Sequence, residues 1–217
     1  MVTQSSAELM DRQYRYQRHI YDFTRTHYLF WRRRLIAELA PPHDGTVVEV
    51  ACGTGWNLVR IAKAYPSVRL YGFDISRAML TTATGTTARN GLRKRIGLAQ
   101  GDATTFDLNT MFGVATADRI VISYALSMIP NWQHAVERAV QQLAPGGALH
   151  IVDFGRMDTM PDVPRTAFLT FLAHYNVSPR RDLEAVLRSA AHRYNLALSF
   201  ETSKAGYCTY AVLKRTV

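Results

Sequence analysis

One stretch constrains this chain more than any other. The apolar run Val47-Val48-Glu49-Val50 empties into a turn of small residues, Ala51-Cys52-Gly53-Thr54-Gly55. A short valine-rich run predicts a buried parallel strand. The apolar residues after the turn (Leu58, Val59, Ile61, Ala62) are spaced for the buried face of a helix. A strand–turn–helix without bulky turn residues lets backbone N–H groups approach a nucleotide-like ligand. Two downstream carboxylates strengthen the signal. Arg69-Leu70-Tyr71-Gly72-Phe73-Asp74 reads as a second strand ending in an acid, 19 residues after Gly55. Gly101-Asp102-Ala103 follows a third apolar run, Ile96-Gly97-Leu98-Ala99.

That spacing suits an adenosine. A carboxylate at the tip of the second strand accepts both ribose hydroxyls. Asp102, at the tip of the third, would pair with the adenine amino group while the Ala103 N–H faces a ring nitrogen. A pyrophosphate fits less well. The dinucleotide fingerprint needs a third glycine for close helix–strand packing, and Leu58 stands at that position. No phosphate-binding lysine follows either. S-adenosylmethionine is the obvious adenosine ligand without a pyrophosphate. Here the chain resembles the class I S-adenosylmethionine-dependent methyltransferases. Glu49, Gly53 and Gly55 match their acidic, glycine-rich pattern, and Ala51 stands for the first glycine. Alanine is small, so a slightly shifted turn is expected rather than lost binding.

The rest of the chain follows a βα rhythm. Ser76 should cap a helix running to about Asn90-Gly91, with a threonine-rich middle of poor propensity. Asp118–Tyr124 reads as a fourth strand, and a helix from Asn131 should end at Pro145-Gly146-Gly147. Ala148–Asp153 reads as a fifth strand, followed by helices around 165–175 and 181–194. Leu196–Phe200 and Tyr210–Leu213 complete the sheet. The predicted class is α/β: a seven-stranded, mostly parallel, Rossmann-like sheet flanked by helices. Its 217 residues and 47% apolar content suit one domain, residues 1–217. Residues 1–40 would form an N-terminal helical cap over the site.

Bulk properties narrow the setting. Two cysteines, Cys52 and Cys208, make no disulfide framework, so a reducing compartment is expected. Cys52 reads as a small filler in the turn, and His150 as packed within its strand. The first residues show no basic stretch followed by an apolar core, so no signal peptide is expected. No apolar run of bilayer length exists. The histidines are scattered without ligand spacing, so no metal is expected. The formal charge of +9, from 26 basic and 17 acidic residues, implies an anionic partner surface.

The N-terminal stretch concentrates that charge. Between residues 11 and 34 there are seven arginines against two aspartates, and no glycine or proline. On a continuous helix Tyr14, Arg18, Tyr21, Arg25, Tyr28 and Arg32 share one face, with Tyr16, Ile20, Phe23, His27 and Phe30 opposite.

Three strings are similar to the N-methyltransferase family of bacterial betaine-lipid synthesis: Asp11–Asp22, Ile122–Pro130 and His150–Gly155. The resemblance runs from about residue 9 to the C-terminus. It implies three successive methyl transfers to the homoserine amine of diacylglyceryl-homoserine, giving diacylglyceryltrimethylhomoserine. It also implies a cytoplasmic protein, peripheral at an anionic membrane face, with the enzyme that makes diacylglyceryl-homoserine as a possible partner. On this basis the cofactor should meet Glu49, Ala51, Cys52, Gly53, Thr54, Gly55 and Asn57. It should further meet Asp74 with Ile75 and Met79, Asp102 with Ala103 and Thr104, then Ser123 and Tyr28. The substrate would meet Tyr14, Tyr16, Arg18, Tyr21 and Arg25, with Arg18 or Arg25 on its carboxylate. Tyr14, Tyr16, Tyr21, Tyr28, Trp31 and Tyr124 would offer rings to the methylated cation. Tyr124 and Asp153, at the ends of the fourth and fifth strands, are the catalytic candidates. Asp153 would take the amine proton or hold the ammonium, or else cap a local turn.

Two other classes remain open. One is a class I methyltransferase with a soluble small-molecule acceptor, such as a quinol precursor. The other is a methyltransferase-like nucleic-acid binder. Ser123-Tyr124-Ala125-Leu126 stands where base methyltransferases carry Asn/Asp-Pro-Pro-Tyr/Phe. No nucleic acid is therefore expected.

Overall fold

The computed structural model describes residue 29 and residues 31–216. A short helix α1 (Arg32–Glu38) precedes β1 (Thr46–Val50), whose five residues are all buried. Then come α2 (Trp56–Ala64), β2 (Arg69–Asp74), α3 (Arg77–Arg89), β3 (Ile96–Gln100) and α4 (Leu108–Phe112). The second half runs β4 (Ala117–Ser123), α5 (Trp132–Gln141), β5 (Leu143–Phe154), α6 (Asp162–His174), α7 (Leu183–Arg193), β6 (Leu196–Thr202) and β7 (Cys208–Arg215).

The seven strands lie in the order β3-β2-β1-β4-β5-β7-β6, with β7 antiparallel to both its neighbours and the other pairs parallel. Side chains alternate across the sheet with period two. Val48, Val50, Ile120 and Ile122 therefore join the hydrophobic cluster that includes α5 and α7 residues. Val47 and Val121 join the opposite cluster with Leu35, Leu58 and Ile61. Strands β1 to β3 and helix α2 match their predicted positions.

Helix α3 shows how weak propensity is offset. Ser76 Oγ accepts the Met79 N–H at 3.2 Å. The hydroxyls of Thr81, Thr82, Thr84 and Thr86 each donate to the carbonyl four residues back. The polar side chains are satisfied within the helix itself.

Three expectations change. Pro145-Gly146-Gly147 does not end α5, which stops at Gln141. Those residues form an irregularity inside β5, where pairing jumps from Ala117–Leu143 to Arg119–Ala148. A Cβ at Gly147 would lie 2.8 Å from the Ala144 carbonyl oxygen, too close for any side chain. Pro164 does not delay α6, which begins at Asp162. A proline in the first turn removes an N–H that has no helical partner anyway. Lastly, Trp31 has φ 64°, in the left-handed region. A continuous helical face ending at Arg32 is therefore broken before α1. Among the described residues no helix is long and apolar enough to cross a membrane.

Candidate active site

A cavity of about 310 Å³ opens at the C-terminal ends of β1 to β4. The loop after β1 forms its floor. Ala51, Gly53 and Gly55 all have positive φ, at 52°, 55° and 78°. The loop is pinned to the tip of β2, because Cys52 N–H donates to the Phe73 carbonyl (2.9 Å) and Gly53 N–H to Asp74 Oδ2 (2.8 Å). Asp74 Oδ1 accepts the Ser76 N–H at 2.9 Å, which starts α3. Asp74 thus organises two turns as well as facing the cavity. A carboxylate of this kind can also accept hydrogen bonds from ribose hydroxyls.

Gly55 does not line the cavity. A Cβ there would come within 3.2 Å of the Ala83 Cβ, so this glycine lets α3 approach the loop. Leu58, at the place of the missing third glycine, is accommodated from the other side. A Cβ on Gly72 of β2 would lie 2.6 Å from Leu58 Cδ1. The close contact is kept, with the glycine on the strand rather than the helix.

At the β3 tip, Asp102 Oδ1 accepts both the N–H and the hydroxyl of Thr104, each at 2.7 Å. Asp102, Ala103, Thr104, Ile75 and Met79 line this end. Glu49 faces the other part of the cavity from beneath. Asn57 Nδ2 donates to its Oε1 at 2.5 Å, and Oε2 is buried without a hydrogen-bond partner. Burial pushes its carboxyl up to about 8, against the lowering influence of Asn57 and Arg32. Arg32 Nε donates to Asn57 Oδ1 at 3.0 Å, and its guanidinium lies 3.8 Å from the Trp56 ring centre. An acid short of a donor and a guanidinium therefore bracket Asn57. This is the charge pattern that an α-amino-acid group requires, ammonium towards Glu49 and carboxylate towards Arg32.

The predicted residues divide as follows. Glu49, Ala51, Cys52, Gly53, Thr54, Asn57, Asp74, Ile75, Met79, Asp102, Ala103, Thr104, Ser123 and Tyr124 line one cavity. Cys52 is buried, and burial raises its thiol well above the usual range, which fits a filler. Trp31 does not line the cavity; the Arg34 guanidinium lies 5.0 Å from its ring centre. Tyr14, Tyr16, Arg18, Tyr21, Arg25 and Tyr28 lie outside the described residues.

The two catalytic candidates are placed differently. Asp153 is 1% exposed and does not line the cavity. Its Oδ2 accepts the Ser127 N–H (3.2 Å) and its Oδ1 the Phe154 N–H (2.7 Å), so it caps a turn behind the wall. Tyr124 does face the cavity, with φ 52°, yet its side chain is 2% exposed and hydrogen-bonded to Cys208. Burial, first of all, pushes its hydroxyl pKa up. Its burial and the bond to Cys208 disfavour this hydroxyl as a proton carrier. His150, as expected, is packed: Nδ1 lies 2.9 Å from the Tyr210 hydroxyl, and burial lowers it to about 4.

Sequence reasoning missed several wall residues, among them Arg32, Trp56, Met128, Ile129 and Asn131. Trp56 directly follows the glycine turn, and 128–131 directly follow the fourth strand. Position alone could have nominated them.

Comparison with known proteins agrees with the geometry. Residues 47–147 match the family model described as a methyltransferase domain. The fold is that of a class I methyltransferase. The small-residue turn and the acids at the β1–β3 tips suit S-adenosylmethionine as cofactor. Among curated proteins, the ubiquinone/menaquinone biosynthesis C-methyltransferase UbiE of Syntrophotalea carbinolica is 29% identical over 76% of this chain and 65% of its own length. The trans-aconitate 2-methyltransferase of Variovorax paradoxus is 29% identical over 55% of this chain and 42% of its own. The chain thus spans about two thirds or less of these relatives. Phosphoethanolamine N-methyltransferase 2 of Haemonchus contortus, solved with S-adenosyl-L-methionine, has the same fold. Its TM-score is 0.78 at 13% identity, covering 100% of this chain and 61% of that one.

Proposed function

We propose that this chain is an S-adenosylmethionine-dependent N-methyltransferase that trimethylates the homoserine amine of diacylglyceryl-homoserine. One observation carries the reading: the character of the cavity beside β4. Tyr124, Ala125, Met128 and Ile129, all after β4, contribute apolar or aromatic residues to its lining, and Leu29 and Trp56 join them from other parts of the chain. The acids among the described lining residues, Glu49, Asp74 and Asp102, sit instead at the β1 to β3 tips. An amine that reaches such a site neutral can attack the sulfonium methyl in line, given orientation alone. The growing alkylammonium is then stabilised by rings, at about 0.5–2 kcal/mol per contact. With Asp153 behind the wall, the amine proton leaves to water.

A diacyl acceptor would be met at a membrane, since extracting it costs ~0.8 kcal/mol per CH₂. The charge of +9 and the N-terminal arginines suit an anionic bilayer face. Residues 1–40 would cap the site in this reading, with the enzyme that makes the lipid as a neighbour. Sedimentation with acidic vesicles should weaken as salt rises, and equal binding to neutral vesicles would remove the membrane part.

A second reading, C-methylation of a quinol-like acceptor, is favoured by the identity with the UbiE protein. Lipid mass spectrometry separates the two. Cells expressing the chain and supplied with diacylglyceryl-homoserine should gain the trimethylated lipid. Failure to do so, with methylation of a supplied demethylmenaquinone instead, would establish the second reading.

A further inference from the structure

The turn between β4 and α5 supplies Ala125, Met128, Ile129 and Pro130 to the cavity wall. Its shape depends on residues far along the chain. Arg180, between α6 and α7, donates from Nε to the Leu126 carbonyl (2.9 Å) and from Nη2 to the Ile129 carbonyl (2.8 Å). Ser178 N–H donates to the Ser127 carbonyl at 2.9 Å. Asp153, on β5, accepts the Ser127 N–H. A guanidinium therefore grips two carbonyls of this turn and a buried carboxyl grips one N–H. Charge-assisted hydrogen bonds of this kind are about twice as strong as neutral ones. Within the turn, Met128 N–H returns to the Ala125 carbonyl at 2.9 Å, so little slack remains.

Strand order says which part of the reaction this wall serves. In β3-β2-β1-β4 the tips bearing Asp102 and Asp74 lie at one end and β4 at the other. An adenosine held by β2 and β3 would leave its sulfonium end on the β4 side. The turn after β4 is then the surface against which the methyl acceptor rests.

We propose that Arg180 and Asp153 are positioning residues for methyl transfer, acting together to hold the 126–129 turn as the acceptor wall. The inference rests on the cofactor site and not on which acceptor is used. Reacting atoms must meet at about 3–3.5 Å, and a displacement near 1 Å costs on the order of 100-fold in rate. A loosened wall should therefore slow transfer while leaving cofactor affinity nearly intact.

The test compares the full chain with Arg180→Lys, Arg180→Ala and Asp153→Asn by three readouts. Amide hydrogen exchange should accelerate by about tenfold or more at residues 127–129 in Arg180→Ala and Asp153→Asn, as local opening becomes easier. Calorimetric S-adenosylmethionine affinity should change by less than about threefold, under 1 kcal/mol. With diacylglyceryl-homoserine in vesicles as the acceptor probe, kcat should fall by about tenfold or more, partly restored by Arg180→Lys. All methyl additions should slow alike, since neither residue handles the proton. Unchanged exchange at 127–129 would overturn the proposal. So would cofactor affinity that falls as steeply as exchange rises, because the turn would then belong to the cofactor. If the wild-type chain leaves this lipid unmethylated, the acceptor reading fails while exchange and calorimetry still decide the role of the clamp.

Discussion

The two ends of the cavity are built by different means. At the β1–β3 end, shaping contacts join near neighbours: Asp74 to Ser76 and Asp102 to Thr104 across two residues, Glu49 to Asn57 across eight. Longer links join them: Gly53 to Asp74 and Cys52 to Phe73 across 21, and Arg32 to Asn57 across 25. At the β4 end, Asp153 reaches Ser127 across 26 residues, and Arg180 reaches Ile129 and Leu126 across 51 and 54. The β1–β3 end combines local turns with links between adjacent βα units. The opposite wall is held from outside, so it can be reshaped by changes that never touch the nucleoside. That separation suits a fold in which one cofactor serves many acceptors.

The largest expected effect lies at the β1–β3 end. Asp74→Ala removes two acceptors for ribose and two backbone N–H partners together. S-adenosylmethionine affinity should drop by about 100-fold or more, and the melting temperature should fall as well. Calorimetry and thermal melting check both. A folded mutant with unchanged affinity would take Asp74 out of the site and erase the contrast between the ends.

Glu49 offers a pH test of the same end. Its carboxyl sits near 8 in the fold against about 4.5 in an unfolded chain. The unfolded state loses this proton first, so stability should fall as pH rises from about 4.5 to 8, then level off. Cofactor binding should run the other way. An ammonium beside Glu49 favours the ionised form, so affinity should climb towards pH 8 with release of a proton. Glu49→Gln should flatten both profiles and weaken binding by about tenfold. Calorimetry in buffers of different ionisation enthalpy would detect the proton. Equal heats in the wild type would show that Glu49 does not ionise on binding.

A smaller effect is expected at Tyr124. Tyr124→Phe keeps the ring and loses the bond to Cys208, costing about 1 kcal/mol of stability with little change in kcat. A loss of kcat near 100-fold would restore the hydroxyl to the chemistry. Smallest of all, Ala51→Gly should stabilise the chain by about 1 kcal/mol, since φ 52° suits glycine better. A lower melting temperature would show that the alanine methyl contributes packing worth more than its strain.

The same contrast explains what could be read from sequence. β2 was legible to the residue because an apolar stretch and its terminal acid are adjacent in the chain. Ser76 as a cap and Asp102 after β3 were legible for the same reason. Asp153 looked equally well placed at a strand end. Only the path of the 125–131 turn, drawn over it by Arg180, decides that it is buried. Arg180 itself carries no local signal beyond an arginine near Pro179. The glycine pair at 146–147 has the composition of a helix stop. Pairing with β4 turns it into a strand irregularity, a choice made by tertiary contacts alone.

The meeting of Leu58 and Gly72 has a consequence for how such a chain can change over generations. The two positions share one volume, with Cys52 Sγ 3.2 Å from where a Cβ at 72 would stand. Gly72→Ala by itself would oblige the Leu58 methyl to move aside in a packed floor, whereas Leu58→Ala first would leave room at the cost of a cavity. The easier order of substitution is therefore to lose atoms at 58 before any are gained at 72. A chain with the glycine on the helix and a side chain on the strand would solve the same packing problem from the other side. A glycine count in the loop motif misses the partner that makes a departure from it viable.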